Sequence, residues 1–257
     1  MFYKKVFSTE PMVRHGYAEI IKIFLQTYIN IIGKKDRSAI ILGAGEGNDL
    51  PLTSLSRNYT SIAFIDKNSA ALDRLKKKMP SSNRKQVFME RNISPAGAKQ
   101  LGSFAREINK ICTDCRTSYQ LQELDRIIME TFNKGSLRGA TSIYPRKADL
   151  VIASMVLHWV AYLKAQEIQQ IIDETYLAEN PRQTQRMDML MAMLFEQLLS
   201  NTKDLVKENG RCMIVLPTYK LSQHEFIRYT DEYIMKYFKN IQKFTEIDLN
   251  FYFLEPL

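Results

Sequence analysis

Cysteine is scarce in this chain: Cys112, Cys115 and Cys212 are the only three in 257 residues. An odd, low count excludes a disulfide framework and suits a reducing compartment. Cys112-Thr-Asp-Cys115 has CxxC spacing, but no second pair follows, and His15, His158 and His224 are scattered. A zinc-ligand pattern is therefore absent, and no metal is expected. The pair falls between two helical stretches rather than at the end of a strand, so its spacing is read as chance. No uncharged apolar run approaches the ~20 residues of a membrane span. Met1-Phe-Tyr-Lys-Lys5 is not followed by the apolar core of a signal peptide. A cytoplasmic protein that makes no membrane contact is expected. Also missing are a P-loop near residue 43, any internal repeat and any low-complexity linker.

Hydrophobic residues make up 45% of the chain, enough for one sizeable core. The expectation is a single domain over 1–257. Net charge is +8, from 36 basic and 28 acidic residues. That balance favours acidic partners: nucleic acid, or small carboxylate and phosphate ligands. The basic residues are spread along the chain, and their densest cluster, Arg74 to Lys78, fits the solvated face of a helix.

The organising stretch is Ala39-Ile-Ile-Leu-Gly-Ala-Gly-Glu-Gly-Asn-Asp49. A short apolar run ends in three glycines at alternate positions, Gly43, Gly45 and Gly47. A second apolar run, Ser61 to Ile65, ends on Asp66. Strand, glycine turn, helix and a second strand tipped by a carboxylate form the front of a nucleotide-binding α/β unit. Glycine lets the backbone approach a ligand closely, and a carboxylate can accept two hydrogen bonds from a ribose diol. The dinucleotide fingerprint GxGxxG needs a glycine where Asn48 stands, so the pattern here is GxGxG.

Periodicity places helices over about 17–32, up to 57, 69–79, 95–111, 117–133, 183–207 and 223–239. Strands fall near 39–42, 61–65, 86–89, 149–153, 211–216 and 246–254. Asn209-Gly210 reads as the stop of the long methionine-rich helix. The alternation predicts a Rossmann-like, doubly wound α/β fold with a mostly parallel sheet and helical insertions forming a cap. The stretch 95–147 is the candidate helical insertion or lid. One strand is expected after the fifth, which suggests a trimmed sheet edge or a homodimer contact.

Leu42-Gly-Ala-Gly-Glu-Gly47, followed by Phe64-Ile-Asp66, resembles the first two motifs of class I S-adenosylmethionine-dependent methyltransferases. The likeness continues, in order, through Asn92-Ile93, Asp149 to Ser154 and Asn209 to Val215. It implies S-adenosyl-L-methionine as cofactor. Gly43, Ala44, Gly45 and Gly47 would lie against its methionine moiety and Asp66, with Lys67, on the ribose. Asn92 and Ile93 would stand beside the adenine, and Ser154 would close the site. Family members often carry an acid before the first glycine or at the end of the third strand. Leu42 and Asn92 hold those places here.

Ser154-Met-Val-Leu-His-Trp159 is similar to the Ser-x-x-Leu-x-Trp of small-molecule carboxyl methyltransferases, of the SABATH or malonyl-carrier-protein type. Gly135-Ser136 and Tyr144-Pro145 resemble a further SABATH segment at a different spacing. The resemblance implies that Trp159 donates its indole N–H to the carboxylate of a small acidic acceptor. A carboxylate acceptor is already anionic and needs no base; an amine or protein side chain would need one, and His158 is the candidate. The Asn/Asp-Pro-Pro-Tyr/Phe tetrad of enzymes that methylate base amino groups is absent after Ala153. An RNA methyltransferase rests on net charge alone, and a non-catalytic cofactor-binding or effector protein is the remaining alternative.

Overall fold

The computed structural model describes residues 11–32, 37–80, 85–111, 118–132, 139–175, 183–218, 225–246 and 248–257. Cys112, Cys115, Gly135, Ser136, Arg138 and His224, and the His15 side chain, lie outside this description. Helix α1 (Pro11–Ile32) leads into β1 (Arg37–Leu42), α2 (Leu52–Asn58), β2 (Tyr59–Asp66), α3 (Ser69–Lys78) and β3 (Lys85–Glu90). Then come α4 (Ala98–Ile111), α5 (Ser118–Phe132), β4 (Ala148–Ser154), α6 (Val156–Thr175), α7 (Gln183–Asp204) and β5 (Val206–Pro217). The chain closes with α8 (Thr230–Met235), β6 (Phe238–Glu246) and β7 (Leu249–Pro256).

Among the described residues seven strands form one sheet in the order β3-β2-β1-β4-β5-β7-β6. Pairings from β3 to β5 are parallel; β7 runs antiparallel to both neighbours. This is the expected Rossmann-like, doubly wound fold. Strand side chains alternate between two cores. Ile40, Leu42, Ala63, Ile65, Val151 and Ala153 face α4 to α8. Ala39, Ile41, Ile62, Phe64, Leu150 and Ile152 face α1 to α3. Burial on both faces explains why β1 and β4 read as continuous apolar runs rather than alternating ones. Leu101, Phe104, Ile108, Leu124, Ile128 and Phe132 of α4 and α5 join the first core, so these two helices are a layer of the fold. Met191 is fully buried and Met187, Met189 and Met193 pack against the same core.

Strand order turns at β1, whose neighbours are β2 and β4. Ligands bind above the carboxyl ends of strands at such a switch point. At the opposite, amino end, Asp149 joins β1 to β4. Its Oδ2 accepts from the Ser38 N–H (2.9 Å), the Ser38 hydroxyl (2.8 Å) and Lys207 Nζ (2.9 Å). Burial alone would raise the Asp149 carboxyl, but the bonds from Lys207 and Ser38 outweigh it and hold its pKa below the usual range. A lowered folded pKa adds stability above the unfolded value near ~3.9. That stability is lost as pH falls through the folded value. Asp149→Asn is expected to cost about 1–2 kcal/mol at neutral pH. The gap to wild type should close below about pH 3–4, read from urea unfolding at several pH values.

Two expectations need correction. The chain after β5 supplies a hairpin, not one strand, so the sheet edge is not trimmed. The helix foreseen over 223–239 is a 3₁₀ turn (Glu225–Tyr229) and the short α8, and strand β6 starts at Phe238. Most β6 side chains are exposed, with Phe238 alone buried. No period-2 apolar signal marks such an edge strand; its pairing with β7, from Phe238↔Pro256 to Glu246↔Leu249, makes it a strand. Likewise, α7 ends at Asp204, and Asn209-Gly210 lies inside β5 where the register slips between Ala148↔Val206 and Leu150↔Arg211. A Cβ at Gly210 would come within 3.0 Å of the Ala148 and Lys207 carbonyl oxygens, which suits glycine to that bulge.

Candidate functional site

The glycine turn sits where the switch point demands it. Gly43, Gly45 and Gly47 all have left-handed backbone, with φ of +65°, +51° and +69°. The end of β2 holds the turn. Ile65 O accepts from Gly43 N (2.8 Å) and Ala44 N (3.1 Å), and Asp66 Oδ2 accepts from Gly45 N (2.9 Å). Asp66 Oδ1 accepts from Asn68 N at 2.8 Å. Asn68 in turn caps α3 by accepting from Ala71 N. Asp66 is thus a scaffold for the turn as well as a candidate ligand group, because a carboxylate offers about four acceptor positions.

The three glycines have different neighbours. A Cβ at Gly43 would lie 2.3 Å from Val156 Cγ2, and one at Gly47 2.5 Å from Leu75 Cδ1. Both are packing constraints. At Gly45 nothing lies within 4 Å of the added Cβ, so the backbone there faces open space. Only this middle glycine leaves room for a ligand against the chain.

Beside the turn is a pocket lined by Gly43, Asp66, Lys67, Asn92, Ile93 and Trp159. All six were singled out in the sequence. Arg91, Val156, Val160 and Leu163 complete the lining. Sequence reasoning missed these four, although a signal existed. Val156, Trp159, Val160 and Leu163 fall at i, i+3, i+4 and i+7, one face of a helix. Arg91 precedes Asn92, and its N–H donates to Asp66 O at 2.8 Å. Asn92 Oδ1 accepts from Ser94 N (2.9 Å), which leaves the side-chain NH₂ as its donor to a ligand.

Strand β4 delivers α6 to the pocket through Met155, whose φ of +58° is left-handed for a residue with a side chain. That conformation costs roughly 1–2 kcal/mol. Met155 N donates to Val215 O at 2.9 Å, and Val156 then begins α6 directly against Gly43. Ser154 does not line the pocket; its hydroxyl donates to Asp49 Oδ2 at 2.7 Å, tying the β4 end to the glycine turn. His158 is placed elsewhere. It is fully buried, with its ring stacked on Phe226 at 5.8 Å between centroids. On a helix, residue 158 lies about 100° from residue 159, so the structure brings Trp159 to the pocket and turns His158 into the core. Trp159 meets Tyr162 edge-on at 5.9 Å and shares its pocket with Asp66 and Asn92.

Among the described residues no group of His, Cys, Asp and Glu is arranged to hold a metal ion, and no helix is long and apolar enough to cross a membrane. Cys212 is fully buried in β5, and burial pushes its thiol far above the ordinary range.

No protein-family model and no curated protein matches the chain. Among solved structures it is similar to the N-methyltransferase NodS from Bradyrhizobium japonicum WM9 in complex with S-adenosyl-L-homocysteine. Identity there is 7%, TM-score 0.47, with 99% of this chain and 95% of that chain covered. It is also similar to a ribosomal protein L11 methylase from Lactobacillus delbrueckii subsp. bulgaricus, at 11% identity and TM-score 0.45 over 91% of this chain and 78% of that one. These likenesses carry no functional assignment.

Proposed function

We propose that the chain is an S-adenosyl-L-methionine-dependent methyltransferase that O-methylates a small carboxylic acid. The observation that carries this reading is the pairing of Asp66 with Gly45: a carboxylate fixed by the turn, next to open backbone, at the mouth of an apolar pocket. The residues fit an adenosine group. Asp66 takes the ribose hydroxyls, Asn92 donates to the base edge, and Ile93, Val156 and Trp159 supply apolar walls. The glycine turn, with Ala44, Gly45 and Gly47, receives the amino-acid portion. When bound, the cofactor supplies an electrophilic methyl group.

The protein's part is then to orient an acceptor oxygen and to exclude water. His158 is sealed in the core, so it cannot act as a base there. An acceptor that is already anionic at neutral pH needs none. Lys67 and Arg91 outnumber the single carboxylate, Asp66, along the pocket and favour an anionic ligand. Trp159 serves the nucleoside in this reading rather than the acceptor's carboxylate.

Trp159 is the only tryptophan, so its emission reports on this pocket alone. Titration with S-adenosylhomocysteine is expected to change that emission saturably. No change up to about 1 mM ligand overturns the cofactor assignment. Labelled methyl groups should then pass to small acids and be released by mild base, as esters are. Base-stable label on amines or on RNA would reject the carboxylate acceptor.

A further inference from the structure

A carboxylate placed before the first glycine would occupy position 42. Leu42 stands there, and it is buried in the apolar core. The turn nevertheless carries a second carboxylate, Asp49, two residues past Gly47. Ser154 Oγ donates to its Oδ2 at 2.7 Å. Burial raises the Asp49 carboxyl, and the bonds from Ser154 and its own backbone N–H offset only part of that. Among the described residues no lysine or arginine makes an ion pair with it. The nearest basic pairings of the turn go elsewhere: Arg74 and Lys78 are held by Glu46, and Lys78 also by Asn48. A carboxylate withdrawn from water without a cation is unfavourable, and a ligand that brings one removes the cost.

The position of Asp49 says which part of a ligand that is. The glycine turn that leads into Asp49 lines the nucleoside pocket through Gly43. The strand end that holds Asp49 continues, one residue after Ser154 and Met155, into Val156 and Trp159 of the same pocket. Asp49 therefore lies at the junction of the two segments that carry the ligand, on the turn side, away from Asn92 and the base. We infer that Asp49 holds the ammonium group of the cofactor's amino-acid tail, with Ser154 as the residue that positions the carboxylate; this rests on the cofactor reading above. The chain thereby supplies from the far end of the turn the acid that is missing at Leu42.

Three nucleoside ligands separate the possibilities. S-Adenosylhomocysteine carries the ammonium without a sulfonium, S-adenosylmethionine carries both, and methylthioadenosine carries neither. In calorimetric titrations, Asp49→Asn is expected to weaken S-adenosylhomocysteine by about 10- to 100-fold and to leave methylthioadenosine unchanged. Ser154→Ala, a milder change, should weaken S-adenosylhomocysteine several-fold, about 3- to 10-fold, again sparing methylthioadenosine. Equal losses for both ligands would mean that Asp49 only braces the turn, and would overturn the assignment. A loss confined to S-adenosylmethionine would place the carboxylate at the sulfonium instead and overturn it too. Wild-type protein that binds methylthioadenosine and S-adenosylhomocysteine equally tightly also rejects an ammonium site while leaving the nucleoside pocket intact. Wild-type protein that binds none of the three removes the cofactor reading itself.

Discussion

Asp66→Ala lowers affinity for S-adenosylhomocysteine by about 100-fold, the value expected for losing two charge-assisted hydrogen bonds that are partly replaced by water. The loss has two sources. One is the ribose diol, which no longer meets a carboxylate. The other is the turn, since Gly45 N loses its acceptor at 2.9 Å and Asn68 N its acceptor at 2.8 Å. A ligand lacking the 2′-hydroxyl separates them. Wild type should bind 2′-deoxy-S-adenosylhomocysteine about 10-fold more weakly than the parent, and Asp66→Ala should not distinguish the two. A variant that still discriminates between them would show that Asp66 does not touch the ribose. Calorimetric titration gives both numbers, and urea unfolding of the variant checks that the fold survives.

Gly43→Ala has the largest expected effect on stability, about 2–5 kcal/mol. Roughly 1–2 kcal/mol comes from a φ of +65° that a side-chain-bearing residue rarely adopts. The rest, about 1–3 kcal/mol, comes from a methyl group placed 2.3 Å from Val156 Cγ2 in a junction that has no room to yield. Gly45→Ala is the matched control. It carries the backbone cost but meets nothing within 4 Å, so it should lose only about 1–2 kcal/mol of stability. Its effect should instead fall on ligand affinity, because the methyl group enters the space left for the cofactor. Urea unfolding and S-adenosylhomocysteine titration on both variants read the contrast. Equal stability losses, or a Gly45 variant that binds normally, would contradict the division of labour within the turn.

The cofactor half of the site was legible because it is local. Gly43 to Gly47 and Asp66 announce themselves by residue type and by their place at the ends of apolar runs. Lys67, Asn92 and Ile93 follow from the same strand ends. Arg91 was one residue away from being named. The α6 face was less visible, because Val156, Val160 and Leu163 are ordinary apolar residues that show a pocket face only once the helix has a start. That start is set by Met155, whose left-handed backbone has no signature in its side chain. His158 and Trp159 are adjacent in the chain and equally suggestive as residue types. Only the helix phase, fixed by Val156 against Gly43, sends one into the core beside Phe226 and the other to the pocket.

The end of the chain shows the same limit. β6 has too few buried side chains to read as a strand, and it exists because β7 offers a row of backbone partners. β7 is covered in turn by α1, where Phe24 stacks on Phe251 at 4.3 Å and Tyr28 meets Phe253 at 4.1 Å. These contacts join the first helix to the last strand, and no local pattern encodes them.

By itself, the amino-acid sequence determined the α/β class, the order of the first five strands, the glycine turn and the carboxylate at Asp66. Each depends on periodicity or residue type within a few positions. Tertiary structure alone decided the closing hairpin, the inward turn of His158, the bond between Ser154 and Asp49, and the single open glycine at Gly45. Those features depend on which surfaces meet across a hundred residues or more, as Asp49 and Ser154 do, or on helix phase and backbone hydrogen bonds that residue type does not specify.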